Sequence, residues 1–380
     1  LDVTTPRENL LSIFRHEVPG WVPITGHIDR YNQPSREGMD PDLAEALGEV
    51  QWQDTSAVTW CRYLGLEIMD WYGLPGRIST PHVAVEETVE GDVKTVVRHT
   101  LAGDLREVIR TCRDVTGAVS SNHTEHMVKG PEDLPALAAL FEDEVVELDA
   151  QDVERARERR ELIGDDGLLL GPMPGTPLGM MYRSFSGVAT LAYLWADAPD
   201  ALRDCFMVME AAYLKRLQLG VQTDIDVVVS VDDTSTTAIS PPMFEACNLD
   251  LTNARADAAH AAGKLYFHHS CGHIRNLLPL YRQTRMDAVH AYNVPPTGDV
   301  TVAQGREMLG DRITIMASIG GQLSSPRFDR TAACANARQV VREAAPYDHF
   351  ILGLSSWPHR TVEEMKFVLD CCRELSPRPA

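Results

Sequence analysis

The segment His268-His269-Ser270-Cys271-Gly272-His273 places three imidazoles and a thiol within six residues. In an extended chain successive side chains point to opposite faces, so His269, Cys271 and His273 share one side and His268 takes the other. Nitrogen and sulfur donors at that spacing suit a borderline-soft metal, zinc first. A tight loop whose histidines cap backbone groups is the alternative. Two neighbouring donors do not close a shell, so further ligands must come from elsewhere in the chain. The adjacent carboxylates Asp232-Asp233 follow a valine-rich run and could serve as metal ligand, general base or cation clamp. Ser240-Pro241 downstream reads as a helix cap with proline in the first turn.

The elements that would position these groups are short apolar runs alternating with helical segments. Leu168-Leu-Leu-Gly-Pro, Asp226 to Asp232, Lys264 to His268, Asp287 to His290, Ile313 to Met316 and His349 to Gly353 read as strands buried on both faces. With Val22 to His27 and Leu64 to Asp70 they make eight, the count of a (β/α)8 TIM-type barrel. Such barrels keep their chemistry at the strand ends. The groups expected there are His27, Asp29, Arg30, Tyr31, Asp70, Tyr182, Arg183, Asp232, Asp233, His269, Cys271, His273, His290, Tyr292, Asn293, Gln322, Ser355, Ser356 and His359. An open doubly wound sheet is the runner-up, but no Gly-x-Gly-x-x-Gly follows a strand.

Thr5-Pro6 with Glu8 has capping-box spacing for a first helix, and Asp40-Pro41 opens another. Between Val83 and Arg110 the pattern becomes period two around Glu90-Gly91-Asp92, predicting an antiparallel β-hairpin insertion. Pro131 to Ile163 reads as helical with a charged, solvated face. No linker divides the chain, so residues 1–380 form a single barrel domain.

The 380 residues are 44% hydrophobic and 24% charged, a globular composition able to bury a large core. A net charge of −20 argues against nucleic acid or an anionic membrane as partner. Eight cysteines scattered through a chain of this size lack the dense spacing of a disulfide scaffold and read as reduced. Cys371 and Cys372 read as thiols of a terminal helix. The first residues lack the pattern of a signal peptide and no run is long enough to span a membrane, so a cytoplasmic protein is expected.

Several stretches together resemble the uroporphyrinogen decarboxylase superfamily: Arg7-Glu-Asn-Leu-Leu-Ser-Ile-Phe with Val18-Pro-Gly-Trp-Val-Pro-Ile, Ser240-Pro-Pro-Met-Phe, His269-Ser-Cys-Gly-His-Ile-Arg-Asn-Leu-Leu-Pro, and Phe350-Ile-Leu-Gly before Thr361-Val-Glu-Glu-Met. The resemblance implies a distorted (β/α)8 barrel with a deep cleft. Its decarboxylases carry Met-Arg-Gln-Ala-Gly-Arg-Tyr. The corresponding stretch here is Thr25-Gly-His-Ile-Asp-Arg30-Tyr31, where Gly26 stands for the first arginine. Pro174-Gly-Thr176 and Tyr182 are similar to the decarboxylases' Pro-x-Thr and tyrosine. The zinc-dependent, corrinoid-linked methyltransferase branch holds its metal with His-x-Cys and a distant Cys. His269-Ser-Cys271 matches the pair, and Ser355 occupies the third position.

The resemblance implies zinc-dependent methyl transfer between a small methylated substrate or thiol and a corrinoid, with His269 and Cys271 on the metal and His273, His359 or an Asp of the 232–233 pair completing it. Asp232, Asp233, Tyr182 and Arg30 are the expected catalytic groups; His27, Tyr31, Arg183, His290, Asn293, Gln322 and Ser355 are the expected substrate contacts. The chain has no Asp-x-His-x-x-Gly corrinoid motif, so a corrinoid would arrive on a partner protein or free. The alternatives are a metal-free decarboxylase (lyase) using Asp232 or Asp233 with Tyr182 on a polycarboxylate, and a non-catalytic small-ligand binder. A homodimer is a further expectation.

Overall fold

The computed structural model describes residues 4–28, 39–49, 56–113, 119–319, 325, 327–346, 348–355 and 360–376. Asp29, Arg30, Tyr31, Gln322, Ser356 and His359 lie outside them, as do the side chains of His27 and Ser355. Eight parallel strands form the barrel: β1 (Ile24–His27), β2 (Ile68–Trp71), β3 (Gly167–Pro174), β4 (Val227–Val231), β5 (Leu265–His269), β6 (Ala288–Asn293), β7 (Thr314–Ser318) and β8 (Phe350–Ser355). Their order is β1-β8-β7-β6-β5-β4-β3-β2. The ring is closed between β1 and β2 by a parallel bridge from Thr25 to Glu67. The buried Glu67 carboxylate strengthens that seam, accepting from Ile24 N at 2.7 Å and from Trp21 Nε1 at 2.7 Å.

All eight expected strands are present because each is buried on both faces and therefore reads as an apolar run. Alternation then sorts their side chains into two cores. Met69, Leu168, Leu170, Val227, Val229, Phe267, Ala288, Met316 and Ile351 fill the barrel interior. Their neighbours in sequence, such as Val228, Leu169, Tyr266 and Val289, pack outward against the helices. The helix Pro6–Phe14 plugs the bottom of the barrel: Leu10 and Ile13 are fully buried in the interior cluster and Phe14 stacks on Phe267 at 5.2 Å. Thr5 caps this helix through Glu8 N at 3.2 Å; Glu8 pairs with Arg15 instead of reaching back to the cap.

Three expectations are corrected. The insertion is a four-stranded antiparallel sheet, Ala84–Glu90, Val93–Thr100, Gly103–Arg113 and Val119–Glu125, and so is twice the expected hairpin. The stretch from Pro131 to Ile163 holds two helices, Leu134–Glu142 and Ala150–Ile163, around the strand Val145–Glu147, which pairs with Arg77–Ser79. The cysteines are not all reduced, since Cys334 and Cys371 form a disulfide across the packed helices Arg330–Glu343 and Val362–Arg373, with Cα atoms 5.6 Å apart. Among the described residues, no helix is long and apolar enough to cross a membrane.

Candidate metal centre

β4 and β5 run side by side with Val231 opposite His269. Alternation along β4 sends Val227 and Val229 inward, so Ser230 and Asp232 point out between barrel and helices. Beyond the strand Asp233 adopts a left-handed backbone, φ 53°, while its N–H donates to the His269 carbonyl at 3.0 Å. A residue with a Cβ enters that region at a cost, and Asp is one of the few non-glycine types that do so readily. The result is that Asp233 turns back toward β5. Its Oδ1 lies 2.9 Å from His269 Nε2, and Cys271 Sγ lies 3.0 Å from the same nitrogen. One donor atom from each of Asp233, His269 and Cys271 fits within a 4.8 Å envelope, and all three residues are half-buried.

The shell around this group fixes each donor. Arg183 Nε holds Asp233 Oδ2 at 2.8 Å and its guanidinium also donates to the Val231 carbonyl, leaving Oδ1 for His269. His269 Nδ1 faces His290 Nδ1 at 2.8 Å, which leaves Nε2 toward Asp233 and Cys271. Trp71 walls both imidazoles, its ring centroid 5.9 Å from His269 and 5.2 Å from His290. His290 points inward by ordinary alternation, two residues after the interior Ala288 and opposite His269; the β-bulge that follows, where the register shifts before Tyr292 and Ala291 has φ 57°, turns Tyr292 outward. The Asn293 side chain stands beside the Cys271 thiol.

Burial alone would raise the Asp233 carboxyl, but its hydrogen bond to His269 and the charge of the Arg183 guanidinium hold it below the usual carboxylate range. Cys271 goes the other way: burial and the adjacent Asp233 carboxylate push its thiol up to about 12. Without an added positive charge this thiol is not a nucleophile at neutral pH. One nitrogen, one sulfur and one carboxylate oxygen are a donor set that zinc accepts. The His269–His290 contact is the kind of outer bond that orients a metal-bound imidazole.

Other expected residues are placed differently. Asp232 is fully buried, with Oδ1 accepting from Thr176 N at 2.8 Å and Oγ1 at 2.5 Å, and Oδ2 from Ser230 Oγ at 2.6 Å. The buried Tyr182 donates to the Asp232 carbonyl, and burial raises its phenol far above the usual value. Both therefore belong to the layer behind the strand ends. His273 does not join the donors: its side chain is exposed and its carbonyl accepts from Thr236 N. Asp70 is paired with Arg159 at 2.5 Å, and Tyr292 donates to the Thr301 carbonyl. Trp71 and the left-handed turn at Asp233 were missed in the sequence. Strand parity was the available signal, because it puts Asp232 outward with Val228 and Ser230.

A cavity opens at the strand ends beside these donors, lined by Trp71, His290, Met69, Met316, Leu354 and Ser318 among others. Its walls are aromatic, thioether and aliphatic with a few polar groups, and His290 links it to His269.

A methyltransferase from Methanosarcina mazei has a similar structure, with a TM-score of 0.64 and 17% identity over 97% of this chain and 98% of that one. At that identity the likeness speaks to the fold. D-psicose 3-epimerase from Clostridium cellulolyticum H10 aligns over 58% of this chain and 83% of its own, with a TM-score of 0.38 and 10% identity, too slight to bear on this protein. No curated protein matches the chain. The family model described as uroporphyrinogen decarboxylase (URO-D) matches residues 167–375, more than half the length and all strands from β3 to β8. The chain belongs to the uroporphyrinogen decarboxylase family.

Proposed function

We propose that this protein is a zinc-dependent methyltransferase that moves a methyl group between a small methylated substrate or thiol and a corrinoid. The observation that carries this reading is the convergence of Asp233, His269 and Cys271 within 4.8 Å at the mouth of the barrel. Asp233 supplies the third donor that the sequence left open. When bound, zinc would hold an acceptor thiol as a thiolate near neutral pH. The acceptor sulfur's lone pair then forms the new bond to the methyl carbon as the donor's bond breaks, its electron pair leaving with the donor and the thiol proton passing to solvent. Arg183 fixes Asp233, His290 orients His269, and Trp71 with its apolar neighbours excludes water from the reacting carbon. The corrinoid enters as a co-substrate, free or on a partner protein.

The decarboxylase alternative has less support. Asp232 and Tyr182 bond to the scaffold rather than to the cavity. A side chain at Gly26 would meet Leu66 Cδ1 at 2.8 Å, so Leu66 would have to turn aside for an arginine there. Zinc content of the purified chain, followed by methylcobalamin demethylation with a panel of thiols, tests the reading. About one zinc per chain, lost in Cys271→Ala and His269→Ala together with activity, is expected. Zinc-free protein, or a Cys271→Ala variant with intact activity, would sink it.

A further inference from the structure

The residues between the candidate donors form a second, wholly buried constellation. Asp233 is flanked by Asp232 and Thr234, and His269 and Cys271 by His268 and Ser270. Each of those four neighbours has no solvent exposure. Thr234 Oγ1 is the hub: it contacts His268 Nε2 at 3.0 Å, Ser270 Oγ at 2.6 Å and Tyr281 OH at 2.5 Å. Ser270 Oγ and Tyr281 OH close the triangle at 2.8 Å. A hydroxyl has one proton and two lone pairs, so three partners use the full capacity of Thr234. On the other side of the His268 ring, Nδ1 stands 3.4 Å from Asp232 Oδ2. Phe244 and Tyr281 pack edge-on to that ring, with centroids 6.1 and 5.4 Å away.

We infer that Thr234, Ser270, His268 and Tyr281 are positioning residues that set the spacing of Asp233, His269 and Cys271 by tying the segment after β4 to the segment after β5. The inference rests on the metal reading above and extends it to residues that touch neither metal nor substrate. The three donors sit on two separate segments, joined near the donors by the Asp233 N–H to His269 carbonyl bond. The β4–β5 ladder below that bond and the Thr236 N–H to His273 carbonyl bond beyond it hold the two backbones together; the Thr234 hub adds side-chain contacts between them, one residue from each donor. A buried hydroxyl left without partners is costly, so the network resists rearrangement. Outer residues of this kind tune metal affinity about 10–100-fold.

Thr234→Val keeps the shape and removes the hub; Thr234→Ser keeps the hydroxyl. Zinc affinity of each folded protein is measured by chelator competition, with cobalt(II) absorption as a probe of the ligand field. Cys271 alkylation by iodoacetamide in metal-free protein at about pH 10, where a fraction of this raised thiol ionises, read by peptide mapping, provides a readout that needs no metal. Thr234→Val is expected to bind zinc about 10–100-fold more weakly, to show an altered cobalt spectrum and to change the Cys271 alkylation rate, with Thr234→Ser restoring all three. A merely structural hydroxyl would lower the melting temperature of Thr234→Val and leave zinc affinity and the cobalt spectrum of the folded protein unchanged, which would overturn the inference. If the wild-type chain binds no zinc, the metal reading falls. Alkylation then decides the positioning role by itself: a rate altered in Thr234→Val and restored in Thr234→Ser supports it, and equal rates in wild type and Thr234→Val overturn it.

Discussion

His269 Nδ1 lies 2.8 Å from His290 Nδ1, so one imidazole donates a proton at that contact and the other accepts it. With the proton on His269 Nδ1, its Nε2 presents a lone pair toward Asp233 and Cys271, as a metal ligand must.

His290→Ala should therefore weaken zinc binding about 10–100-fold while the protein remains folded, because His269 loses the partner that fixes its tautomer and ring angle. Chelator competition on the variant checks this. An unchanged dissociation constant would show that the contact does not orient the ligand.

Arg255 and Glu210 are a buried pair behind the site, joined at 2.6 and 2.7 Å, with Arg255 also donating to Ser230 Oγ and the Pro174 carbonyl. Glu210→Leu removes the paired carboxylate of a buried guanidinium and should cost about 3–5 kcal/mol. Replacing both residues, Arg255→Met with Glu210→Leu, should cost much less than the two single changes added together. Urea unfolding of the three variants measures this cycle, and strict additivity would contradict it.

At the bottom of the barrel His349 Nδ1 lies 3.0 Å from His16 Nδ1, linking the plug helix to the start of β8. Burial, with the positive charge of Arg306 and His16, lowers the His349 imidazole below its usual value; Asp348 and Asp311 pull it up by less. The unfolded chain then binds the extra proton first. Stability from this group is full above the ordinary imidazole value, about 6.5, and falls as pH drops toward the lower folded value. Unfolding free energy between pH 7.5 and 5 should decline less steeply in His349→Gln than in wild type. Parallel curves would rule this contribution out.

The disulfide between Cys334 and Cys371 spans 37 residues. Chain-entropy arguments give such a loop about 3–4 kcal/mol of stabilisation. Cys334→Ser should lower the unfolding free energy by about that amount under oxidising conditions and by little in reductant. Peptide mapping without reduction gives the companion check, since it should recover the two cysteines in one linked species.

Much of the barrel was legible because parallel strands buried on both sides must be apolar throughout, and runs such as Val227 to Val231 satisfy few other environments. The insertion was legible only in its first half. Val85, Val89, Val93 and Val97 alternate visibly, whereas Val119-Ser-Ser-Asn-His-Thr-Glu125 is polar almost throughout and takes its strand conformation from pairing with Gly103–Arg113. The break between the helices at 142 and 150 was hidden for a similar reason: Val145–Glu147 is a strand only because Arg77–Ser79 lies beside it.

By itself the sequence determined the strand count, the alternating cores and the His269-x-Cys271 pair, because all three follow from residue type and a fixed period along the chain. The tertiary structure decided which carboxylate completes the donor group. Asp232 and Asp233 are equivalent as letters, but the outward parity of β4 buries the first beneath Thr176 and Ser230, and a left-handed turn swings the second onto β5. It also paired Cys334 with Cys371 and set Trp71 against two histidines, contacts between residues 37 or more positions apart that no local pattern encodes.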